Sequence, residues 1–182
     1  MNRKIAVISG SLRKESFNTK LAKAFIASAP ENFETHLIDI SALPMQNEDL
    51  EQNLPETVKA FQAAIKDANA VLLVTPEHNR SYSVAIKNAL DWGSRPEGTN
   101  VWAGRPVGIA GCTPYNLGTF GAQQHLRQVV MYLDMQPLQQ PEFYMEQAAG
   151  KFDDAGVLTD AKTQQKIAEF WQAFGTLIEK IC

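Results

Sequence analysis

Short runs of consecutive apolar residues alternate along the chain with longer stretches whose apolar residues recur every three or four positions. Ile5-Ala6-Val7-Ile8, Val71-Leu72-Leu73-Val74 and the segment from Pro106 to Gly111 are of the first kind. Runs of this length, bounded by turn formers, suit strands buried on both faces. Glu34 to Asp39 alternates in polarity and reads as another strand, and Met135 to Leu138 as a fifth. The second kind reads as helices. Leu21, Ala22, Phe25 and Ile26 share one helical face, with Asn18 as the candidate cap and Pro30 as the stop. Leu54-Pro55 opens a second helix, Ser83 to Trp92 forms a third and Leu117 to Leu133 a fourth. Thr159 caps a last one bearing Ile167, Phe170, Trp171, Phe174 and Ile178. Strand and helix in strict alternation predict an α/β fold with a parallel sheet covered on both faces. Five strands fit the doubly wound order 2-1-3-4-5, whose ligands bind at the carboxyl ends of the first and third strands.

Composition narrows the classes of function. The chain has 182 residues, 45% hydrophobic and 20% charged. A chain of this size buries about 70% of its unfolded surface, so residues 1–182 are expected to form one domain without a disulfide or metal staple. The net charge of −3 offers no basic excess for gripping nucleic-acid phosphates. The two cysteines, Cys112 and Cys182, make neither a disulfide framework nor a zinc motif. His36, His78 and His125 stand on different elements, so no metal site is expected. The apolar run near the N-terminus is too short for a signal-peptide core, and no run approaches the ~20 residues of a membrane span. A cytoplasmic location is the expectation.

Three loops leave the sheet at its carboxyl edge. Gly10-Ser11-Leu12-Arg13-Lys14-Glu15-Ser16-Phe17-Asn18 joins a buried strand to a helix start, where free N–H groups and the positive helix end favour an anion. Ser11, Ser16 and Asn18 add short polar side chains and Arg13 a forked cation, so a phosphate group is the natural guest; a capped helix beside a solvated arginine is the plain alternative. Thr75-Pro76-Glu77-His78-Asn79-Arg80-Ser81 faces that loop and offers amides suited to the polar edge of a planar heterocycle. The loop after the fourth strand runs from Gly111 to Gly118, and its Cys112 reads as a packed thiol. Trp92, Trp102 and Phe120 form an apolar surplus that suggests contacts between copies of the chain.

These residues resemble a known family. Gly10-Ser11-Leu12-Arg13-x-x-Ser16-Phe17-Asn18 resembles the phosphate loop of the NADPH-dependent FMN reductases, which include bacterial soluble quinone and chromate reductases. Pro76-Glu77-His78-Asn79 resembles their flavin-ring loop, with histidine in place of tyrosine. Lys87 to Pro96 resembles their K-N-A-I-D-W-x-S-R-P segment, and the blocks around Gln124 and Gln140 follow in order. Ser83 stands where the family usually carries proline, and the arginine often found near the position of Gly121 is missing.

The resemblance implies a flavodoxin-like fold and an FMN-dependent NAD(P)H oxidoreductase. Ser11, Arg13, Ser16, Phe17 and Asn18 would hold the FMN phosphate. Pro76, Glu77, His78 and Asn79 would meet the ring, with Thr113 near its other edge. NADPH or NADH would be the co-substrate and a quinone, flavin or similar small molecule the acceptor. The cofactor carries the chemistry, so no catalytic side chain is expected. A homodimer or homotetramer is implied as well. An electron-carrier flavodoxin is the alternative, against which stand the modest acidity and Arg13.

Overall fold

The computed structural model describes residues 2–182. Six strands form one parallel sheet: β1 (Arg3–Ser9), β2 (Phe33–Leu37), β3 (Ala70–Val74), β4 (Pro106–Cys112), β5 (Gln136–Pro137) and β6 (Phe143–Met145). The order is β2-β1-β3-β4-β5, with β6 also paired to β4. Ile5 lies opposite Ala70, and Val71 opposite Val107.

Alternation along the strands divides the core into two layers. Ile5, Val7, Leu72 and Val74 pack against Leu21 and Phe25 of α1 (Phe17–Ala27) and against Phe170, Trp171 and Phe174 of α5 (Ala161–Ile181). Ala6, Ile8, Val71 and Leu73 face the other way. They meet Phe61 and Ile65 of α2 (Glu56–Asp67), Ile86 and Leu90 of α3 (Val84–Trp92), and Leu126 and Val130 of α4 (Phe120–Tyr132). Both faces of the sheet are thus covered, which is why β3 and β4 are buried throughout. At the amino edge, the Arg105 guanidinium donates to the carbonyls of Val101, Lys66 and Ala68. It closes the last turn of α2 against the start of β4.

Four local expectations are corrected. The fifth strand is split. β5 pairs with Pro106 and Val107, and β6 with Ala110 to Cys112. Residues 138–142 leave the sheet between them, and Arg127 spans that excursion, donating to the Leu138 carbonyl (3.2 Å) with Glu142 Oε1 3.7 Å away. Asn18 is not the cap of α1: Ser16 is, its hydroxyl accepting from the Thr19 N–H. Asp160, not Thr159, caps α5. Trp92 and Trp102 are fully buried, so they are core residues and not surface surplus, whereas Phe120 is half exposed. The indole N–H of Trp92 donates to the Pro44 carbonyl and that of Trp102 to the Leu90 carbonyl, which satisfies both in the interior.

Candidate functional site

The sheet ladder continues one step past each of its central strands before the loops diverge. Gly10 N–H donates to Val74 O (2.8 Å), Thr75 N–H to Ala110 O (2.9 Å) and Thr113 N–H to Met145 O (3.0 Å). The loops after β1, β3 and β4 therefore emerge side by side. Gly10 makes the first departure possible: a Cβ there would lie 2.5 Å from Ile86 Cδ1 and 2.7 Å from Ser83 Oγ. Only a residue without a side chain lets β1 run up against the start of α3.

The first loop ends in the amino terminus of α1. Thr19 N–H is taken by the Ser16 hydroxyl (3.2 Å) and Lys20 N–H by the Ser16 carbonyl (3.0 Å). The N–H groups of Phe17 and Asn18, ahead of these, have no helical carbonyl to meet. The Asn18 side chain is engaged elsewhere, donating to the Cys112 carbonyl and accepting from the Cys112 N–H, both at 3.0 Å. It latches the helix start to the end of β4. Arg13 is exposed and its guanidinium donates to Glu15 O from Nε (3.2 Å) and Nη2 (2.6 Å), which shapes the loop and leaves Nη1 without a protein hydrogen-bond partner among the described residues.

The second loop is a tight hairpin. His78 and Ser81 exchange both backbone hydrogen bonds, at 2.8 and 2.9 Å. Between them Asn79 and Arg80 both take positive φ, 50° and 66°, the signature of a two-residue type I′ turn. Ser81 Oγ lies 3.2 Å from His125 Nδ1 on α4. Glu77 anchors the hairpin. Its Oε2 accepts from the Ala122 N–H in the first turn of α4 (3.2 Å), and its Oε1 lies 3.2 Å from Arg80 Nη1. Thr119, at the cap position of α4, makes no side-chain cap bond, so a carboxylate from another loop meets that helix end. A Cβ at Gly121 would stand 3.1 Å from the Arg80 carbonyl, so glycine gives the hairpin its close seat on α4.

Between these loops lies a cleft of about 470 Å³. Ser11, Arg13, Ser16, Phe17 and Asn18 line it from one side, and Pro76, Glu77, His78 and Thr113 from the other. Asn79 is the exception. It lines a second cleft of about 290 Å³ together with Glu77, Arg80, Thr113, Tyr115 and Leu117. Glu77, Thr113 and Tyr115 border both. Sequence reasoning missed Ser83, Val84 and Ala85, which line the larger cleft from the start of α3. Ser83 caps that helix through the Ile86 N–H, and a serine ahead of an apolar periodic run is the signal that marks it. Cys112 also lines the cleft but is nearly fully buried, and burial pushes its thiol far above the ordinary range. A thiol so shifted stays protonated and is a poor nucleophile. The arrangement offers helix-start donors at one end and amide, carboxylate and guanidinium groups at the other.

Known proteins share this sequence and this fold. The profile of the family described as NADPH-dependent FMN reductase matches residues 3–150. The chain is 41% identical over 175 residues to the 2-hydroxy-1,4-benzoquinone reductase of a Burkholderia species, with 96% of each chain covered. It is 43% identical over 176 residues to the quinone reductase of Pseudomonas putida, covering 96% of this chain and 94% of that one. Among solved structures it is similar to FerB, a flavoenzyme NAD(P)H:(acceptor) oxidoreductase from Paracoccus denitrificans, with a TM-score of 0.92, 39% identity and 98% of each chain covered.

Proposed function

The chain belongs to the NADPH-dependent FMN reductase family, and from that premise we propose that its carboxyl-edge cleft holds FMN and that two electrons pass there from NAD(P)H to a quinone or similar small acceptor. The observation that carries this reading is the union of a helix-start anion loop with two polar loops on one sheet edge. The residues fit the cofactor. FMN phosphate carries close to two negative charges near neutral pH. The unspent N–H groups of Phe17 and Asn18, the hydroxyls of Ser11 and Ser16 and the guanidinium of Arg13 supply the donors at that end. Asn18 serves through its main chain, since its amide is taken by Cys112. Pro76, Glu77, His78 and Asn79 face the ring from one side and Thr113 from the other.

Bound FMN supplies the hydride and electron chemistry; the protein binds, orients and tunes it. The hairpin from His78 to Ser81 is held by its two backbone bonds and by Glu77, so the ring-facing residues are set in place before any ligand arrives. No side chain is assigned a proton to move. Residues 1–182 act as one cofactor-binding unit. No described helix is long and apolar enough to cross a membrane, and the protein works in the cytoplasm. A homodimer or homotetramer is the assembly, supported by exposed Leu117, Phe120, Met131 and Tyr132.

The experiment is direct. Protein purified without added flavin should be yellow, and the released cofactor should be FMN by mass. Under anaerobic conditions NADPH or NADH should bleach it, and a quinone should restore the colour. A colourless protein that takes up no FMN on titration, or a yellow one that neither nicotinamide bleaches, overturns the proposal.

A further inference from the structure

We propose that Arg80 sets the redox poise of this site by stabilising the negative charge that the flavin ring gains on reduction, an inference that rests on the FMN reading above. The lining of the two clefts gives a direction. The helix-start loop borders only the larger cleft; Glu77, Thr113 and Tyr115 border both; Asn79, Arg80 and Leu117 border only the smaller one. FMN carries its phosphate and its ring at opposite ends. With the phosphate on the helix start, the ring points toward the end where Arg80 stands.

The charge balance there is positive. Arg80 is the cation of that end, and 71% of its side chain is exposed. Its one protein partner among the described residues is Glu77, reached by Nη1, so Nε and Nη2 remain for a ligand. Glu77 does not cancel it, because the same carboxylate also receives the Ala122 N–H at the amino end of α4. That helix end contributes about half a positive charge. One carboxylate therefore faces a guanidinium plus a helix terminus. A hydride from NAD(P)H brings two electrons and one proton to the ring and leaves NAD(P)⁺, so the ring becomes more negative by one charge unless a second proton follows. A net positive edge favours that product over the oxidised ring.

The backbone supplies an independent observation. A type I′ turn favours Asn-Gly at its centre, and here the pair is Asn79-Arg80, with arginine at φ 66°. A non-glycine residue held in the left-handed region costs conformational energy, and such positions cluster at functional sites. Replacing Arg80 by glycine removes the charge while making the turn easier. Charge and folding are thereby separated in one variant.

The test is a spectroelectrochemical titration of the FMN-loaded enzyme. For an exposed charge, loss of Arg80 should weaken binding of reduced FMN relative to oxidised FMN by about fivefold. For a two-electron couple that is a negative shift of about 20 mV in midpoint potential. Arg80→Gly and Arg80→Ala should both show it, Arg80→Lys should recover most of it, and Glu77→Gln should shift the potential the other way. A potential that does not move in Arg80→Gly overturns the proposal, as does a shift of the same sign in Arg80→Gly and Glu77→Gln, which would report a disturbed loop. A raised KM for NAD(P)H or acceptor with an unmoved potential also overturns it, by assigning Arg80 to those ligands. Failure of the FMN reading itself looks different, because then no FMN is bound and there is no potential to measure.

Discussion

Asn18 spends its side chain on the backbone of a residue 94 positions away. Both groups it satisfies on Cys112 are buried, and an unpaired buried backbone group costs about 1–3 kcal/mol. Asn18→Ala should therefore lower stability by about 2–4 kcal/mol, and the melting temperature by roughly 5–15 °C for a chain of this size. Asn18→Asp keeps the acceptor but sets a carboxylate against the Cys112 carbonyl, so it should be no better than an intermediate case. Scanning calorimetry of the cofactor-free protein checks both. Arg13 is the opposite case, exposed and on a loop. One lost hydrogen bond to a charged group, taken near the low end of 1.5–3 kcal/mol for an exposed site, should raise the FMN dissociation constant about tenfold. Apo stability should barely change, and Lys14→Ala should do almost nothing. Flavin fluorescence during titration of the apo-protein measures this; binding of Arg13→Ala within about twofold of wild type would remove Arg13 from the phosphate site. The place of Arg13 on a loop lining the cleft was legible, because it follows from neighbouring residues in sequence. The latch of Asn18 stayed hidden, because nothing in the first twenty residues points to Cys112.

Periodicity made the helices and the buried strands legible, since each shows an apolar pattern over several residues. The sheet border was legible only in part: Met135 to Leu138 marked β5, but three-residue β6 is too short to show a period. The hairpin after β3 was equally hidden. Asn79-Arg80 lacks the glycine that marks a type I′ turn, and only its seat on α4 through Glu77 and Gly121 explains it. The split edge has its own titration signature. Tyr144 of β6 is pushed up to about 12, first by burial and then by its hydrogen bond with Glu142. A tyrosine whose folded value is raised contributes stability that is present below the unfolded value, near 10, and is lost as pH rises toward the folded one. Of the four tyrosines, Tyr144 should ionise last in an alkaline absorbance titration, with Tyr82 also late because it is partly buried and near Asp91. Tyr144→Phe should delete that last step and flatten the loss of stability between about pH 10 and 12. A final step that survives in Tyr144→Phe would reassign it.

For the whole molecule, strict alternation of strand and helix was enough to read the doubly wound architecture, and with it the edge on which ligands bind. Of the residues first offered for the expected assembly only Phe120 remains, since Trp92 and Trp102 belong to the interior; Leu117, Met131 and Tyr132, exposed on α4 or just before it, join Phe120. Sedimentation at micromolar protein should give a particle of two or four 20.2 kDa chains. Mutating Phe120 and Tyr132 together to serine should push it toward the monomer, and a monomeric wild type would leave those side chains as plain surface. The interruption between β5 and β6 has a further consequence. An unbroken strand at a sheet border is a template on which foreign chains polymerise. Here one border is cut into pieces of two and three residues by the 138–142 excursion, and the other, β2, carries Glu34 and His36 outward. Both borders are thereby poor templates for fibrils built from copies of this chain.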